Sequence, residues 1–350
     1  VCFYNGDRAK AKELIDAISP DLRKLTNALQ LKVKSIDARL KFKYDEASKS
    51  LEELVKELPF SKEAFYNLGE VYFHSARPET AITYYKKALE LDPKYAQAMN
   101  HLGYCYSYLG DHRNAIDTLE RFRQFDPSSN SFDSFGDGYF FAGKLDRAES
   151  MKLTAVEPEP DGSRISWPFQ TLADIYVLKA QYNKAVNALN EYKKLANSPT
   201  ANAYVLERFA YIDYIGQQFQ PALDKINQSL SIFDTDDINE SAYEQHMIKG
   251  LILTGMNNIT EAKTEWQWLK KCIDRYQFKP GAFHAVLKDG MLVEAMIAEK
   301  ENQPDKAIQI FKTIIDMKSS LSYWITYFNY QFFHTEYVKL LIRLKKFEEA

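Results

Sequence analysis

The sequence predicts an all-α chain built from antiparallel helix-turn-helix units, and three observations carry that expectation. Glycine is scarce, 13 in 350 residues, while 45% of the residues are hydrophobic; few breakers and ample apolar surface suit a globular chain of packed helices. Apolar residues recur at helical spacing, as in Phe65 to Pro93, "FYNLGEVYFHSARPETAITYYKKALELDP", where two amphipathic stretches are parted by "SARPET". The pattern then repeats. A shift of 34 residues carries Leu68-Gly69, Tyr72, Ala81 and Pro93 onto Leu102-Gly103, Tyr106, Ala115 and Pro127.

One alanine marks the repeat along the chain: Ala11, Ala47, Ala81, Ala115, Ala148, Ala185, Ala222, Ala262, Ala307 and Ala350. Twelve residues before it stands a small residue: Ser35, Gly69, Gly103, Gly136, Ala173, Ala210, Gly250 and Ala295, with Val338 as the departure. Glycine inside a helix costs about 1 kcal/mol relative to alanine. Its recurrence points to a close approach between the two helices of each unit, at the ~8–10 Å range of packed axes, with Gly69 expected to meet Ala81. The turns "NGDRAKA", "LGDHRNA" and "AGKLDRA" offer glycine to end one helix and, in the first two, a neighbouring aspartate to cap the next.

Taken in order, the elements are a lone second helix at about 7–18 and eight complete hairpins ending near 58, 92, 126, 157, 196, 232, 277 and 317. A final first helix follows at about 324–344. The expectation is one solenoid over 1–350 with partial repeats at both ends, clearest at 62–160 and longer and more divergent at 166–350. Irregular connections are expected at "EPEPDGSRISWP" (157–168, also a candidate hinge), "ANSPTANA" (196–203) and "FDTDDINES" (233–241). The first residue is Val1 and the ending "LIRLKKFEEA" reads as an opening helix, so an excerpt of a longer protein is expected.

This pattern resembles the tetratricopeptide repeat family. Phe65, Leu68, Gly69, Tyr72, Ala81, Tyr85, Ala88 and Pro93 fill the slots of the family motif. Phe122 departs from it, and from Ala185 onward the closing proline is mostly lost and Asp213 and Leu253 replace the usual tyrosine. The resemblance implies a right-handed superhelical solenoid whose first helices line a concave groove. It is also similar in style to such regions of bacterial signalling proteins, Ser/Thr kinases and winged-helix activators, which makes a regulatory or sensory segment the alternative reading.

The stripe that the resemblance turns toward the groove starts with Glu63, Tyr66, Glu70 and Phe73, then Asn100, Tyr104 and Tyr108. Asp133, Asp137, Phe140 and Phe141 follow, then Trp167, Gln170, Asp174 and Val177, then Tyr204, Glu207, Tyr211 and Tyr214. Aromatic side chains ringed by carboxylates suit an apolar partner segment carrying Lys or Arg. The carboxylate clamp by which some family members hold chaperone tails is missing, because its slots hold Tyr66, Glu70, Asn100 and Asp133. The expected function is a protein-binding scaffold; an enzyme built on such helices is a further alternative, one that would require a cluster of polar residues with shifted pKa values in the groove. The run "SYWITYFNYQFFHTEY" (Ser322 to Tyr337) is expected to pack against a further hairpin, and self-association through the C-terminal end is a further expectation.

Other chemistry finds little footing. Residues 61–240 carry 25 acidic and 18 basic groups, which disfavours a nucleic-acid groove, since phosphate contacts need Lys and Arg. There is no phosphate-binding glycine loop, no H-E-x-x-H and no C-x-x-C. Six histidines are dispersed, His101 and His112 flanking one hairpin, and Cys2, Cys105 and Cys272 form no framework, so a reducing compartment is permitted. Asp234 and Asp236 have calcium-like spacing but lack the turn glycine and closing glutamate of a calcium loop. Sequons stand at Asn227, Asn239 and Asn258. No cofactor, no metal, no catalytic set and no membrane-spanning run is expected.

Overall fold

The periodic stretches fold as α-helices. The structure, a computed structural model, describes residues 8–232, 242–276, 280–317 and 327–346. Its helices in chain order begin with α1 (Arg8–Ile18), a short 3-10 segment (Ser19–Lys24), α2 (Asn27–Leu40), α3 (Tyr44–Glu57), α4 (Lys62–His74), α5 (Pro78–Leu91), α6 (Ala96–Tyr108) and α7 (His112–Phe125). Then come α8 (Ser129–Phe141), α9 (Leu145–Ala155), α10 (Pro168–Leu178), α11 (Tyr182–Ala196), α12 (Pro199–Ile215) and α13 (Phe219–Ile232). The last are α14 (Tyr243–Gly255), α15 (Ile259–Tyr276), α16 (Pro280–Lys300), α17 (Pro304–Asp316) and α18 (Tyr327–Arg343). Cys2, the turn at Asn5-Gly6, the segment 233–241 with Asp234, Asp236 and Asn239, residues 322–326 of the aromatic run, and Ala350 lie outside the described residues.

The contacts divide the chain into two compact units, Val1–Pro127 and Ser128–Ala350. In the first, α2 packs on α3, α4 on α5 and α6 on α7, and each second helix meets the next first helix, α3 with α4 and α5 with α6. The second unit repeats the scheme from α8/α9 to α17/α18, with α12, α14 and α16 also touching as successive first helices. Among the described residues no helix is long and apolar enough to cross a membrane.

One backbone device closes every first helix from α2 to α18. A residue with positive φ stands five positions before each repeat alanine: Phe42, Ala76, Gly110, Gly143, Ala180, Gln217, Asn257, Asn302 and Lys345. The next N–H donates to the carbonyl five residues back, as Lys43 to Ala38 (2.8 Å), Arg77 to Tyr72 (2.9 Å), Asp111 to Tyr106 (2.9 Å) and Gln181 to Tyr176 (2.7 Å). This closure satisfies the orphan carbonyls of the helix end. The glycine expected there is present at Gly110 and Gly143. Elsewhere a side chain is held in the left-handed region, at a cost of about 1 kcal/mol. Asp111 caps as expected, its Oδ1 accepting from the N–H of Asn114 at 3.3 Å.

Ala47, Ala81, Ala115, Ala148, Ala185, Ala222, Ala262 and Ala307 are fully buried. The close approach at Gly69, however, is not made by Ala81. A Cβ on Gly69 would lie 2.6 Å from the Tyr85 ring, one on Gly103 2.5 Å from Leu119, and one on Gly136 3.1 Å from the Lys152 stem. The contact falls sixteen residues on because a helical side chain covers the surface N-terminal to its own Cα, so Tyr85 reaches over the place beside Ala81. At Gly250 the close neighbour is Val293 on α16.

Segment 157–168 connects α9 to α10, which pack together. It is pinned by Glu159, whose carboxylate accepts from the N–H of Ser129 (2.7 Å), and by Arg164, whose Nε donates to the Val156 carbonyl (3.0 Å). Most of 196–203 is helical rather than irregular: Ser198 caps α12 by accepting from the N–H of Ala201 at 3.1 Å, and Pro199 takes the first helical position.

Candidate functional site

The two units treat the aromatic and acidic stripe differently. In the first, Glu63 is exposed at the start of α4, while Tyr66, Glu70 and Phe73 are buried. Glu70 accepts from the Tyr85 hydroxyl at 2.6 Å, with His101 Nε2 at 3.4 Å and His74 Nε2 at 3.7 Å. Burial alone would push the Glu70 carboxyl up, but His101, His74 and Arg39 together hold it far below the usual carboxylate range. The Tyr66 hydroxyl lies 3.4 Å from His101 Nδ1. Phe73 stacks on Tyr108 at 5.6 Å and stands edge-on to His101. Tyr108 is buried, Asn100 and Tyr104 half-buried. The stripes of α4 and α6 thus meet each other across the hairpin boundary.

In the second unit, Asp133 is buried and Asp137 half-buried, and both are bound by Lys152, each at 2.5 Å. The indole N–H of Trp167, which is 47% exposed, donates to the other oxygen of Asp133 at 3.0 Å. Burial raises the Asp133 carboxyl to about 6 against the opposing pull of Lys152. Phe140 is buried against Ala148 and Ile175, and Phe141, Gln170 and Val177 are half-buried. Lys152 was not singled out from sequence, yet a signal existed: it follows Gly136 by sixteen residues, as Tyr85 follows Gly69 and Leu119 follows Gly103.

Further along, α10, α12, α14 and α16 bring several acidic groups together. Asp174 and Glu207 are buried, and the Arg208 guanidinium lies 3.8 Å from each. Tyr204 is half-buried with its ring 5.0 Å from that guanidinium. Glu207 also accepts from the Gln245 amide at 2.7 Å. Burial, and then the Glu244 charge, raise the Glu207 carboxyl to about 8. Burial raises Asp174 to about 6 despite Arg208, and burial with Glu244 and Glu207 raises Asp289 well above its ordinary value. Gln245, Lys288 and Asp289 carried no sequence signal, because they lie on α14 and α16, where the motif has diverged.

Two turns along the same helices the character changes. Tyr211 is buried and Tyr214 half-buried, their rings 6.3 Å apart. Tyr214 lines a cleft of about 340 Å³ with Ile215, Phe219, Gly255 and Met296. Its rim holds charged pairs, Arg343 bidentate on Glu299 (2.7 and 2.8 Å) and Lys339 on Glu336 (2.7 Å). Aromatic and acidic features, expected to be mixed, are here separated along the helix axis. Among the described residues no three His, Cys, Asp or Glu side chains converge to hold a metal ion.

Residues 60–127 match a family model described as tetratricopeptide repeat. No curated protein sequence matches the chain. Among solved structures, the yeast protein Tom70 is 18% identical with a TM-score of 0.55, over 94% of this chain and 67% of that one. The APC/C hetero-tetramer Cut9–Hcn1 is 12% identical with a TM-score of 0.52, over 88% of this chain and 57% of that one. Identity this low speaks for the fold alone. Residues 60–127 are tetratricopeptide repeats, and the helical-hairpin fold to which they belong runs through the described residues on both sides of them.

Proposed function

We propose that the protein is a non-catalytic interaction scaffold that holds a segment of a partner protein along the first helices of its second unit. The observation that carries this reading is the cleft at Tyr214, where Phe219, Ile215 and Met296 leave an apolar pocket large enough for a bulky side chain. The partly exposed groove positions Trp167, Gln170, Tyr204 and Tyr214 extend the same surface. In the first unit only Glu63, Asn100 and Tyr104 keep exposed area on the stripe, so that unit contributes less contact.

The test is selection of displayed random peptides on the full chain, repeated with Tyr214→Arg, which places a long charged side chain at the cleft. Selected peptides should lose at least about tenfold in affinity to the variant, as expected for a central apolar anchor. A melting curve establishes that the variant is folded. Unchanged affinity, or no selectable peptide at all, would overturn the reading.

A further inference from the structure

The cleft at Tyr214 is charged asymmetrically at its mouth. Its acids are Glu299 and Glu336, and its bases are Lys300, Lys339 and Arg343. The acids are engaged within the protein: Glu299 accepts from Arg343 Nε and Nη2 at 2.7 and 2.8 Å, and Glu336 from Lys339 at 2.7 Å. They are also mostly covered, the Glu299 side chain 18% exposed and that of Glu336 4%, whereas Arg343 and Lys339 are 46% and 47% exposed. Lys300 is exposed too, and no carboxylate among the described residues pairs with it.

Hydrogen-bonding capacity is unbalanced in the same sense. A guanidinium carries five N–H donors and an ammonium three, of which the two glutamates occupy only part. The Tyr214 hydroxyl and the Gln217 side-chain amide also line the cleft, and neither has a hydrogen-bond partner among the described residues. Burial, and then the Glu336 charge, push the Tyr214 hydroxyl up, so it remains a donor. A segment that covers these groups takes them from water and has to supply acceptors instead.

The cleft thus joins an apolar floor, from Ile215, Phe219 and Met296, to a positive, donor-rich rim. This is the opposite sign from the acidic stripe, and a basic segment here would meet like charge. We propose that the cleft receives an acidic and apolar segment of a partner protein, an apolar side chain entering beside Phe219 and Met296 and a neighbouring Asp or Glu meeting Lys300, Lys339 and Arg343. The inference rests on the scaffold reading above and names the sign of the partner.

The size of the cleft sets the spacing. A volume of about 340 Å³ is about 7 Å across, and an extended chain advances about 3.3 Å per residue. The acidic residue therefore stands within two positions of the apolar one.

The same peptide selection reads this out separately. Asp or Glu should be enriched within two positions of an apolar residue among peptides selected on the full chain. Replacing that acid by Asn or Gln should weaken a selected peptide about fivefold or more, a result that needs no altered protein. Lys300→Glu, at an exposed position, should weaken it by a similar factor, and placing Lys at the acidic position of the peptide should recover binding to that variant. Peptides that are lost with Tyr214→Arg, yet show no enrichment of acids, tolerate Asn or Gln, or bind Lys300→Glu unchanged, would overturn this inference and leave the scaffold reading standing. Synthetic peptides carry amidated C termini, and binding that is regained only with a free C-terminal carboxylate would overturn the acidic side chain as the source of the charge. No selected peptide at all would overturn both readings.

Discussion

Glu70 in the first unit and Glu207 in the second are both buried carboxylates on first helices, yet they stand in opposite electrostatic states. Glu70 is met by the Tyr85 hydroxyl and by two histidines, and its carboxyl is held low. Glu207 is buried beside the Glu244 and Asp174 charges, with the Arg208 guanidinium 3.8 Å away, and its carboxyl is pushed up to about 8 by burial and then by Glu244. The lesson concerns completeness. Where donors from the neighbouring elements match the acids, the stripe is part of the core. Where acids crowd together around one buried guanidinium, burial and mutual repulsion push the same kind of carboxyl toward its neutral form.

The sharpest way to break this comparison is to undo a completed network. Lys152→Leu places in α9 the residue type that α7 already carries at the same register, Leu119, but leaves Asp133 and Asp137 without their cation. A loss of about 3–5 kcal/mol in urea unfolding is expected, and adding Asp133→Asn and Asp137→Asn should restore most of it. A small loss in the single variant would show that the aspartates need no partner.

The pH dependence of two isosteric variants tests the sign. Glu70 has a depressed folded pKa, so its stabilisation is present above the ordinary carboxylate range and fades as pH falls toward the acid extreme. Glu70→Gln should therefore cost on the order of 1–3 kcal/mol at pH 7, with the difference shrinking in acid. Glu207 has a raised folded pKa, so its favourable state is complete below about 4.5 and is lost as pH rises toward about 8. Glu207→Gln should melt about 2–4 °C above the parent at pH 8 and together with it at pH 4. Both variants moving in one direction would erase the contrast between the units.

Glycine substitutions give the finest scale. Gly69→Ala drives a methyl into the Tyr85 ring and should cost about 1–2 kcal/mol, overpacking outweighing the gain in helix propensity. Gly136→Ala meets only the flexible Lys152 stem, and thermal melting should place it within about 0.5 kcal/mol of the parent for the same reason.

The hairpins were legible because their signals are local. Helix ends at Glu57, Leu91, Phe125 and Ile232 fall beside the expected breaks, since apolar spacing and the turn before each alanine are written within a few residues. The misreading at 196–203 was also local: Ser198-Pro199 is a helix start that a cluster of turn-type residues obscured. The site was less legible. The register placed the aromatic and acidic residues on the first helices, but Glu63 and Glu70, seven residues apart on one helix, end with opposite exposures, Glu70 alone of the two lying against His101 of the next hairpin.

By itself, then, the sequence determined the helical-hairpin fold and the small-residue slots at which its helices come close. Only the tertiary structure decided which acids on the first helices are matched. The Gln245 amide that binds Glu207 comes from 38 residues away, and the Trp167 indole that binds Asp133 from 34. Helix periodicity acts over a turn or two of one chain segment, whereas the fate of a buried charge depends on donors that arrive from other helices, and the 3.6-residue pattern of one helix carries no information about them.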